Sequence, residues 1–258
     1  MASDFAGKVV VVTGAGGGIG RAACLLFAER GAAVVCADIA GEAAAETARQ
    51  IVSAGGRSSS CTVDVADPAS NDALVAAAEA AFGRVDVAFL NAGILRRGTV
   101  TQTPAAVFDE VMAVNLRGVF LGLQAVAPAI RRAGGGAIVV TASSAGLRSD
   151  PELAAYSVAK RGAIALVQSA ATEMAPWNIR VNAICPGAVA TPMTSAMDSG
   201  PGSALALLHP LGRVGTPEDI AELVSFLAGE RAGFITGAAY PVDGGLTSVA
   251  VPRYRGNA

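Results

Sequence analysis

A tyrosine and a lysine four residues apart form the pair in this sequence that is best suited to chemistry. Tyr156 and Lys160 fall in a segment with helical spacing, and residues at i and i+4 share one face of a helix. A free phenol has a pKa of about 10, but a nearby cation favours its ionised form, and a shift of roughly 3 units takes about 4 kcal/mol. The pair therefore suits proton transfer, although the same spacing is usual for solvated surface pairs.

Composition limits the possible partners. The chain has 258 residues and a formal net charge of -2, with a pI near 5.5 and without a run of Lys or Arg. These values argue against nucleic acid or an anionic membrane as the main partner and favour a small-molecule ligand. Uncharged runs such as residues 118 to 130 are shorter than the roughly 20 residues of a membrane span.

The cysteines and the N-terminal residues indicate a cytoplasmic protein. Cys24, Cys36, Cys61 and Cys185 lie far apart, without metal-like spacing, so we expect four reduced, buried thiols and no metal site. A basic segment followed by an apolar one, as in a signal peptide, is not found at the N-terminus, because Lys8 leads straight into a strand.

A β-branched run at residues 8 to 13 is followed by a glycine-rich turn and a helical pattern at residues 21 to 30. Glycines let the backbone approach a pyrophosphate, which the amides at a helix start can bind. The order is G-x-x-x-G-x-G at Gly14, Gly18 and Gly20, with Gly17 between them, and it departs from the usual G-x-G-x-x-G. By itself this turn leaves a nucleotide loop and a plain structural turn equally open.

Asp38 ends the second predicted strand, 24 residues beyond Gly14. An acidic residue there can bind a ribose 2′-hydroxyl and would repel a 2′-phosphate; the alternative is that it caps the next helix, near Gly41. Since no Lys or Arg occurs within residues 14 to 20 or at position 39, we favour NAD over NADP.

Helices and strands alternate along the whole chain. Asp67 and Pro68 are predicted to cap and start one helix, and Thr103 and Pro104 another. This alternation predicts an α/β fold: one domain over residues 1 to 258, with a doubly wound, Rossmann-like parallel sheet and helices on both faces. The predicted helices after the first span residues 41–54, 69–82, 104–131 and 153–176, and the later strands span residues 58–63, 85–90, 137–141 and 180–185.

Two polar positions accompany these elements. Asn115 falls on the apolar side of the helix at 104–131, which we expect to bury Phe108 and Val111, and a buried amide there could simply bond a neighbouring backbone. Ser143 and Ser144 follow the fifth strand, at the carboxyl end where open α/β sheets bind ligands.

In order and spacing, these motifs resemble those of the short-chain dehydrogenase/reductase family over nearly the whole chain. Ser143 stands 13 residues before Tyr156, as the family's serine does. The matching residues are Thr13, Gly14, Gly18, Ile19, Gly20, Asn91, Ala92, Gly93, Asn115, Ser143, Tyr156, Lys160, Pro186, Gly187, and the ending Val242, Asp243, Gly244, Gly245.

The resemblance implies a role for each catalytic residue. Tyr156 would exchange a proton with the alcohol or ketone oxygen, and Ser143 would donate a hydrogen bond to it. Lys160 would lower the pKa of Tyr156 and bind the nicotinamide ribose. Asn115 would hold a water that links Lys160 to solvent, in place of the simple backbone contact.

The resemblance also implies a cofactor site. Family members that use NADP often carry a basic residue at the position where this chain has Gly17. The residues expected to bind the cofactor are Gly14, Gly17, Gly18, Ile19, Gly20, Asp38 and Ile39 at the first two strands, Asp64 and Val65 beside the adenine, Asn91, Ala92 and Gly93 at its ribose, and Tyr156, Lys160, Pro186, Gly187, Val189 and Thr191 around the nicotinamide.

The substrate is less well defined by the sequence. Residues 193 to 213 correspond to the family's mobile substrate loop and are mainly small and apolar. His209 could touch substrate, although a local hydrogen bond is the more usual role. Arg96, Arg97 and Arg148 could bind a carboxylate or phosphate, or could be solvated surface residues.

Together these features predict an NAD-dependent oxidoreductase of secondary alcohols or ketones. One alternative is an NADPH-dependent 3-oxoacyl-acyl-carrier-protein reductase, and another is a protein that senses NAD without turnover. The resemblance implies a homotetramer that pairs through the helices at 104–131 and 153–176.

Overall fold

The computed structural model describes residues 4–195, 198–200 and 202–248, and a seven-stranded sheet forms its centre. The spatial order of the strands is β3-β2-β1-β4-β5-β6-β7, and every neighbouring pair is parallel. The strands are β1 (Val9–Thr13), β2 (Ala33–Asp38), β3 (Arg57–Thr62), β4 (Val87–Leu90), β5 (Gly136–Thr141), β6 (Ile179–Pro186) and β7 (Ala239–Val242).

Helices cover both faces of this sheet. Successive side chains of a strand point to opposite sides, so one strand contributes to the core on each face. In β1, Val10 and Val12 pack against Phe27 and the helices near it, whereas Val11 packs in a separate cluster on the other face. The predicted doubly wound α/β fold is therefore confirmed. The helices are α1 (Gly18–Glu29), α2 (Gly41–Ser53), α3 (Pro68–Phe82), α4 (Ala105–Met112), α5 (Gly118–Arg132), α6 (Ser144–Leu147), α7 (Ala154–Met174), α8 (Ala204–Leu207) and α9 (Pro217–Ala228).

The helix expected at residues 104 to 131 is interrupted. A π-helical segment, Ala113–Arg117, separates α4 from α5. The predicted cap at Thr103 is wrong, since α4 starts after Pro104 without a side-chain cap and the Thr103 hydroxyl donates to the Thr99 carbonyl at 2.6 Å. The cap at Asp67 is confirmed, because its carboxylate accepts from two backbone N–H groups.

Burial corrects two further predictions. Val111 is buried as expected, but Phe108 is 38% exposed. Cys24, Cys36 and Cys185 are buried free thiols, whereas Cys61 is only partly buried. Cys61 differs because its strand, β3, lies at the edge of the sheet, where one side lacks a neighbouring strand.

The span Ala105–Arg132 is long and apolar enough to cross a membrane by length and composition. Its apolar side chains have a simpler explanation in the fold. Nine residues of α5, among them Leu121, Val126 and Ile130, are buried, and several join the core formed with β4, β5 and α7. Core helices of this kind satisfy the same criterion, so the span is weak evidence for a membrane.

Candidate active site

The carboxyl ends of the strands form one cleft of about 770 Å³. It lies where the strand order reverses between β1 and β4, which is where open α/β sheets bind ligands. The structure brings most of the predicted site residues to its walls: Gly14, Gly17, Gly18, Ile19, Asp38, Asn91, Ala92, Gly93, Ser143, Tyr156, Lys160, Pro186, Gly187, Val189 and Thr191. The predicted residues Gly20, Ile39, Asp64, Val65 and Asn115 are not among the residues that line it.

The glycine turn between β1 and α1 has a conformation that requires glycine. Gly14 and Gly18 have φ values of +68° and +49°, which L side chains rarely adopt. A Cβ on Gly20 would overlap the Gly14 carbonyl oxygen. Gly17 is the N-cap residue of α1 and has no side chain. The first backbone N–H groups of the helix therefore form a cradle that is suited to a pyrophosphate.

Asp38, at the end of β2, braces this turn. One carboxylate oxygen accepts from the Gly16 backbone N–H and the other from the Ala40 N–H, both at 2.9 Å. Helix α2 itself starts after Ala40 without a side-chain cap. The nearby Arg21 donates to the Gly16 carbonyl and the Thr47 hydroxyl, so its guanidinium is already bonded.

The remaining predicted cofactor residues lie around or below the cleft. Ile39 is 70% exposed beside Asp38. Asp64 accepts from the Ala66 N–H at 2.9 Å, and a Cβ on Gly118 would contact the Val65 side chain. Gly20 lies beneath the glycine turn, where it packs against Gly14.

Ser143, Tyr156 and Lys160 meet at the carboxyl end of β5. Ser143 caps α6, where its hydroxyl accepts from the Ala145 N–H at 3.1 Å. One turn of α7 separates Tyr156 from Lys160, whose ammonium nitrogen lies 5.7 Å from the centre of the Tyr156 ring. The same nitrogen donates to the Thr141 carbonyl at 2.7 Å.

Burial has the largest effect on the pKa values of Lys160 and Tyr156. It lowers the pKa of Lys160 to about 8, against a smaller opposing effect of Cys185. It also raises the pKa of Tyr156, and the hydrogen bond with Ser143 only partly offsets the rise. The sequence argument predicted a lowered Tyr156 pKa; the structure reverses the net direction, because desolvation of the phenolate outweighs favourable contacts.

Asn115 lies in the π-helical segment and is fully buried. Its side-chain oxygen accepts from the Ile94 N–H and its side-chain nitrogen donates to the Ile94 carbonyl, both at 2.8 Å. A Cβ on Gly93 would lie 3.0 Å from the Asn115 oxygen and 3.4 Å from the Lys160 nitrogen. The amide thus bonds a neighbouring backbone and holds the Gly93 turn against Lys160.

The part of the cleft beyond Ser143 and Tyr156 is mainly apolar. The predicted substrate loop supplies Met193, Leu205 and Leu208 to this wall, whereas sequence reasoning missed Leu95, Leu153 and Leu246, because isolated leucines carry no motif. Part of the predicted substrate loop, residues 196, 197 and 201, lies outside the described residues. The apolar residues that line the cleft here are Leu95, Leu153, Met193, Leu205, Leu208 and Leu246.

The three candidate arginines all make ion pairs. Arg96 pairs with Glu110 at 2.7 Å and does not line the cleft, whereas Arg97 and Arg148 do. Arg97 pairs with Glu152 at 3.1 Å and Arg148 with Asp150 at 3.0 Å.

Comparisons with known proteins show which family the chain belongs to. A family model described as enoyl-(acyl carrier protein) reductase matches residues 14–247. The chain is 41% identical over 251 residues to a cyclohexanol dehydrogenase of Acinetobacter sp. (strain SE19), covering 96% of this chain and 98% of that protein. It is 40% identical over 250 residues to a cis-4-hydroxycyclohexanecarboxylate dehydrogenase of Sinomonas cyclohexanicum, covering 96% and 100%.

A solved structure shows the same architecture. The crystal structure of a short-chain type dehydrogenase/reductase from Mycobacterium marinum superposes with a TM-score of 0.91 at 32% identity, covering 96% of this chain and 98% of that one. The protein belongs to the short-chain dehydrogenase/reductase family. It is an oxidoreductase that acts on alcohol or ketone groups and uses a nicotinamide cofactor.

Proposed function

We propose that this protein is an NAD-dependent dehydrogenase of small, largely apolar secondary alcohols, or a reductase of the matching ketones. The observation that carries the proposal is one continuous cleft, which joins the glycine turn and Asp38 at one end to Ser143, Tyr156 and Lys160 at the other. The dinucleotide, the proton-transfer groups and the substrate pocket would then share a single site.

The residues present fit a dinucleotide. The glycine turn offers backbone amides without side chains in front of them, and an acidic group follows at the end of β2. Gly14, Gly17, Gly18, Ile19 and Gly20 would surround the pyrophosphate, and Asp38 and Ile39 the adenosine ribose. Outside the cleft lining, Asp64 and Val65 would flank the adenine. Within the cleft, Asn91, Ala92 and Gly93 would line the adenosine ribose, and Pro186, Gly187, Val189 and Thr191 would face the nicotinamide.

NAD supplies the hydride acceptor when it is bound. In the oxidation direction the Tyr156 phenolate takes the alcohol proton, while the Ser143 hydroxyl donates a hydrogen bond to the same oxygen. The Lys160 ammonium supplies positive charge beside the ring and donors for the nicotinamide ribose. The side chain of Asn115 fixes the Gly93 turn next to Lys160, and its segment would hold the water that passes protons to solvent.

For the substrate we favour a neutral alicyclic alcohol. Two of the relatives are named for cyclohexane-ring substrates, and the cleft beyond Tyr156 is lined by aliphatic side chains. Arg97 and Arg148 already pair with carboxylates, so their charge is largely compensated.

One observation favours a second candidate, a substrate that carries a carboxylate. The Nε of Arg148 is buried and has no hydrogen-bond partner among the residues that the structure describes, so this arginine retains a donor. Cyclohexanol and a hydroxycyclohexanecarboxylate should therefore be compared with the wild type and with Arg148→Ala. Only the acid would lose kcat/KM in the variant if this second candidate holds.

An NADPH-dependent reductase and a sensor without turnover have less support. A 3-oxoacyl reductase that prefers NADPH would need a partner for the 2′-phosphate, whereas Asp38 presents a carboxylate and Arg21 is already bonded. A sensor would not need Ser143, Tyr156 and Lys160 together.

Fluorescence titration with NADH and, separately, NADPH tests the cofactor assignment. We expect tight binding of NADH and weak binding of NADPH, followed by NAD reduction when cyclohexanol is added. Preference for NADPH would support the 3-oxoacyl reductase. Failure of both dinucleotides to bind would overturn the proposal.

We further propose a cytoplasmic homotetramer built from a single-domain chain of residues 1 to 258. Apolar side chains on the helices expected to pair are left open to solvent: Phe108 on α4, Phe120 on α5 at 44% exposure, and Val158 on α7 at 52%. Burial of such side chains against another subunit would stabilise the assembly.

A further inference from the structure

His209 is the only histidine in the chain, and backbone groups contact both of its ring nitrogens. The side chain is 2% exposed. Nδ1 lies 2.9 Å from the Leu205 carbonyl oxygen, and Nε2 accepts from the Ala188 N–H at 3.1 Å. A carbonyl oxygen can only accept and a backbone N–H can only donate, so the ring is the neutral tautomer with its hydrogen on Nδ1.

These two bonds join separate parts of the cleft. Leu205 belongs to α8, which carries apolar substrate-side residues. Ala188 lies between Gly187 and Val189, in the loop after β6 that would face the nicotinamide. A Cβ on Gly187 would lie 2.7 Å from the His209 Nε2 and 3.0 Å from the Asp243 Cα, so the imidazole is packed directly against this loop.

We propose that His209 is a positioning residue that ties the substrate helix α8 to the nicotinamide loop. The proposal rests on the proposed function, because it takes residues 186 to 191 as the nicotinamide wall. In the neutral ring, the unprotonated Nε2 of His209 accepts the hydrogen bond of the Ala188 N–H. A side chain without an acceptor at this place would leave the Ala188 N–H unpaired, and the loop would lose its contact with the segment that follows α8.

The charged groups around His209 do not replace this contact. Asp243 packs beside Gly187, as His209 does, and its oxygens accept from the Gly245 and Thr247 N–H groups and from the Thr247 hydroxyl. Arg213, on the segment after His209, pairs with Asp219. The neighbours in α8 and in residues 187 to 189 carry no titratable side chain.

Two variants of His209 distinguish the effect of its bond to Ala188 from that of its bond to Leu205. In His209→Gln the amide oxygen can occupy the place of Nε2 and accept from Ala188, whereas in His209→Asn the shorter amide can occupy only the place of Nδ1 and donate to Leu205. We expect His209→Asn to bind NADH about tenfold more weakly, the size expected for a buried donor left without its acceptor, with kcat changed less than KM. His209→Gln should bind NADH nearly as the wild type does.

Rescue by His209→Gln, but not by His209→Asn, distinguishes this role from simple packing. Nitrogen NMR of the full chain, labelled at its single histidine, should show the Nδ1–H tautomer at neutral pH. An Nε2–H tautomer, or equal NADH affinity in all three proteins, would overturn the proposal. Wild-type protein that bound neither dinucleotide would instead refute the proposed function.

Discussion

The Lys160 ammonium donates to the Thr141 carbonyl at 2.7 Å, and this contact starts a chain of hydrogen bonds across three strand ends. The Thr141 hydroxyl donates to the Asn91 side-chain oxygen at 3.0 Å. The Asn91 side-chain nitrogen in turn donates to the Thr13 carbonyl at 3.2 Å. The lysine of α7 is therefore connected through β5 and β4 to the strand that leads into the glycine turn.

The buried Lys160 should cost stability. Its pKa is lowered from the ordinary lysine value to about 8, so between about pH 8 and about pH 10.5 the unfolded chain binds a proton that the folded protein has released. The free energy of unfolding thus rises with pH in that interval, and below it the folded protein bears the whole cost, about 3 kcal/mol.

Lys160→Met removes this cost. We expect the free energy of unfolding of the variant, minus that of the wild type, to shrink by about 3 kcal/mol between about pH 7 and about pH 10.5. Denaturant unfolding at both pH values measures the difference. A constant difference would show that the lysine does not titrate as its burial predicts.

Tyr156→Phe should abolish turnover while NADH affinity stays similar. The change removes the hydroxyl that exchanges the proton and keeps the ring that packs beside Lys160. Loss of a general acid–base group costs roughly 10²- to 10⁴-fold in rate. Steady-state kinetics and an NADH titration are the measurements, and a variant that kept wild-type kcat would rule out Tyr156 as the proton-transfer group.

Asp38 should decide between NADH and NADPH through its charge. Asp38→Asn keeps an oxygen that can accept from Gly16 or Ala40 but removes the negative charge. We expect the ratio of the NADPH to the NADH dissociation constant to fall about tenfold or more, equivalent to ~1.4 kcal/mol. Asp38→Ala should relax the preference as well, and should also weaken NADH binding because both backbone contacts are lost. An unchanged ratio in both variants would leave Asp38 with a purely structural role.

Gly20→Ala and Gly17→Ala form a matched pair of tests for the glycine turn. At Gly20 the new methyl would overlap the Gly14 carbonyl, whereas at Gly17 its nearest neighbour would be the Pro192 side chain at 3.7 Å. We expect Gly20→Ala to weaken NADH binding strongly and Gly17→Ala to change it little, as measured by titration. Equal effects would argue against the cradle described for the turn.

Phe120→Glu tests the assembly. A charge at this exposed position of α5 would have to be desolvated in a subunit interface, at a cost of several kcal/mol. Size-exclusion chromatography with light scattering should then report a smaller assembly than that of the wild type, while the circular dichroism of the folded chain stays the same. A matched Glu at the exposed Val52 of α2 should leave the mass unchanged. A wild-type protein that ran as a monomer would contradict the tetramer.

The family, the order of helices and strands and most of the cleft could be predicted from local pattern. Buried parallel strands leave continuous apolar runs, and a glycine turn that needs positive φ leaves glycines at fixed spacing. These features depend on residues that are neighbours in the sequence. Tyr156 and Lys160 stand one helix turn apart and Ser143 follows a strand end, but their roles, and the choice of Ser143 over Ser144, came from the resemblance to the family.

Contacts between distant segments could be decided only by the tertiary structure. The bond of His209 to Ala188, the backbone contact of Asn115 with Ile94 and the exposure of Phe108 all depend on which segments the fold places together. The direction of the Tyr156 pKa shift was predicted wrongly for the same reason. The i and i+4 spacing indicates that a cation lies near the phenol, but desolvation depends on everything packed around the ring, and a one-dimensional pattern carries no measure of that.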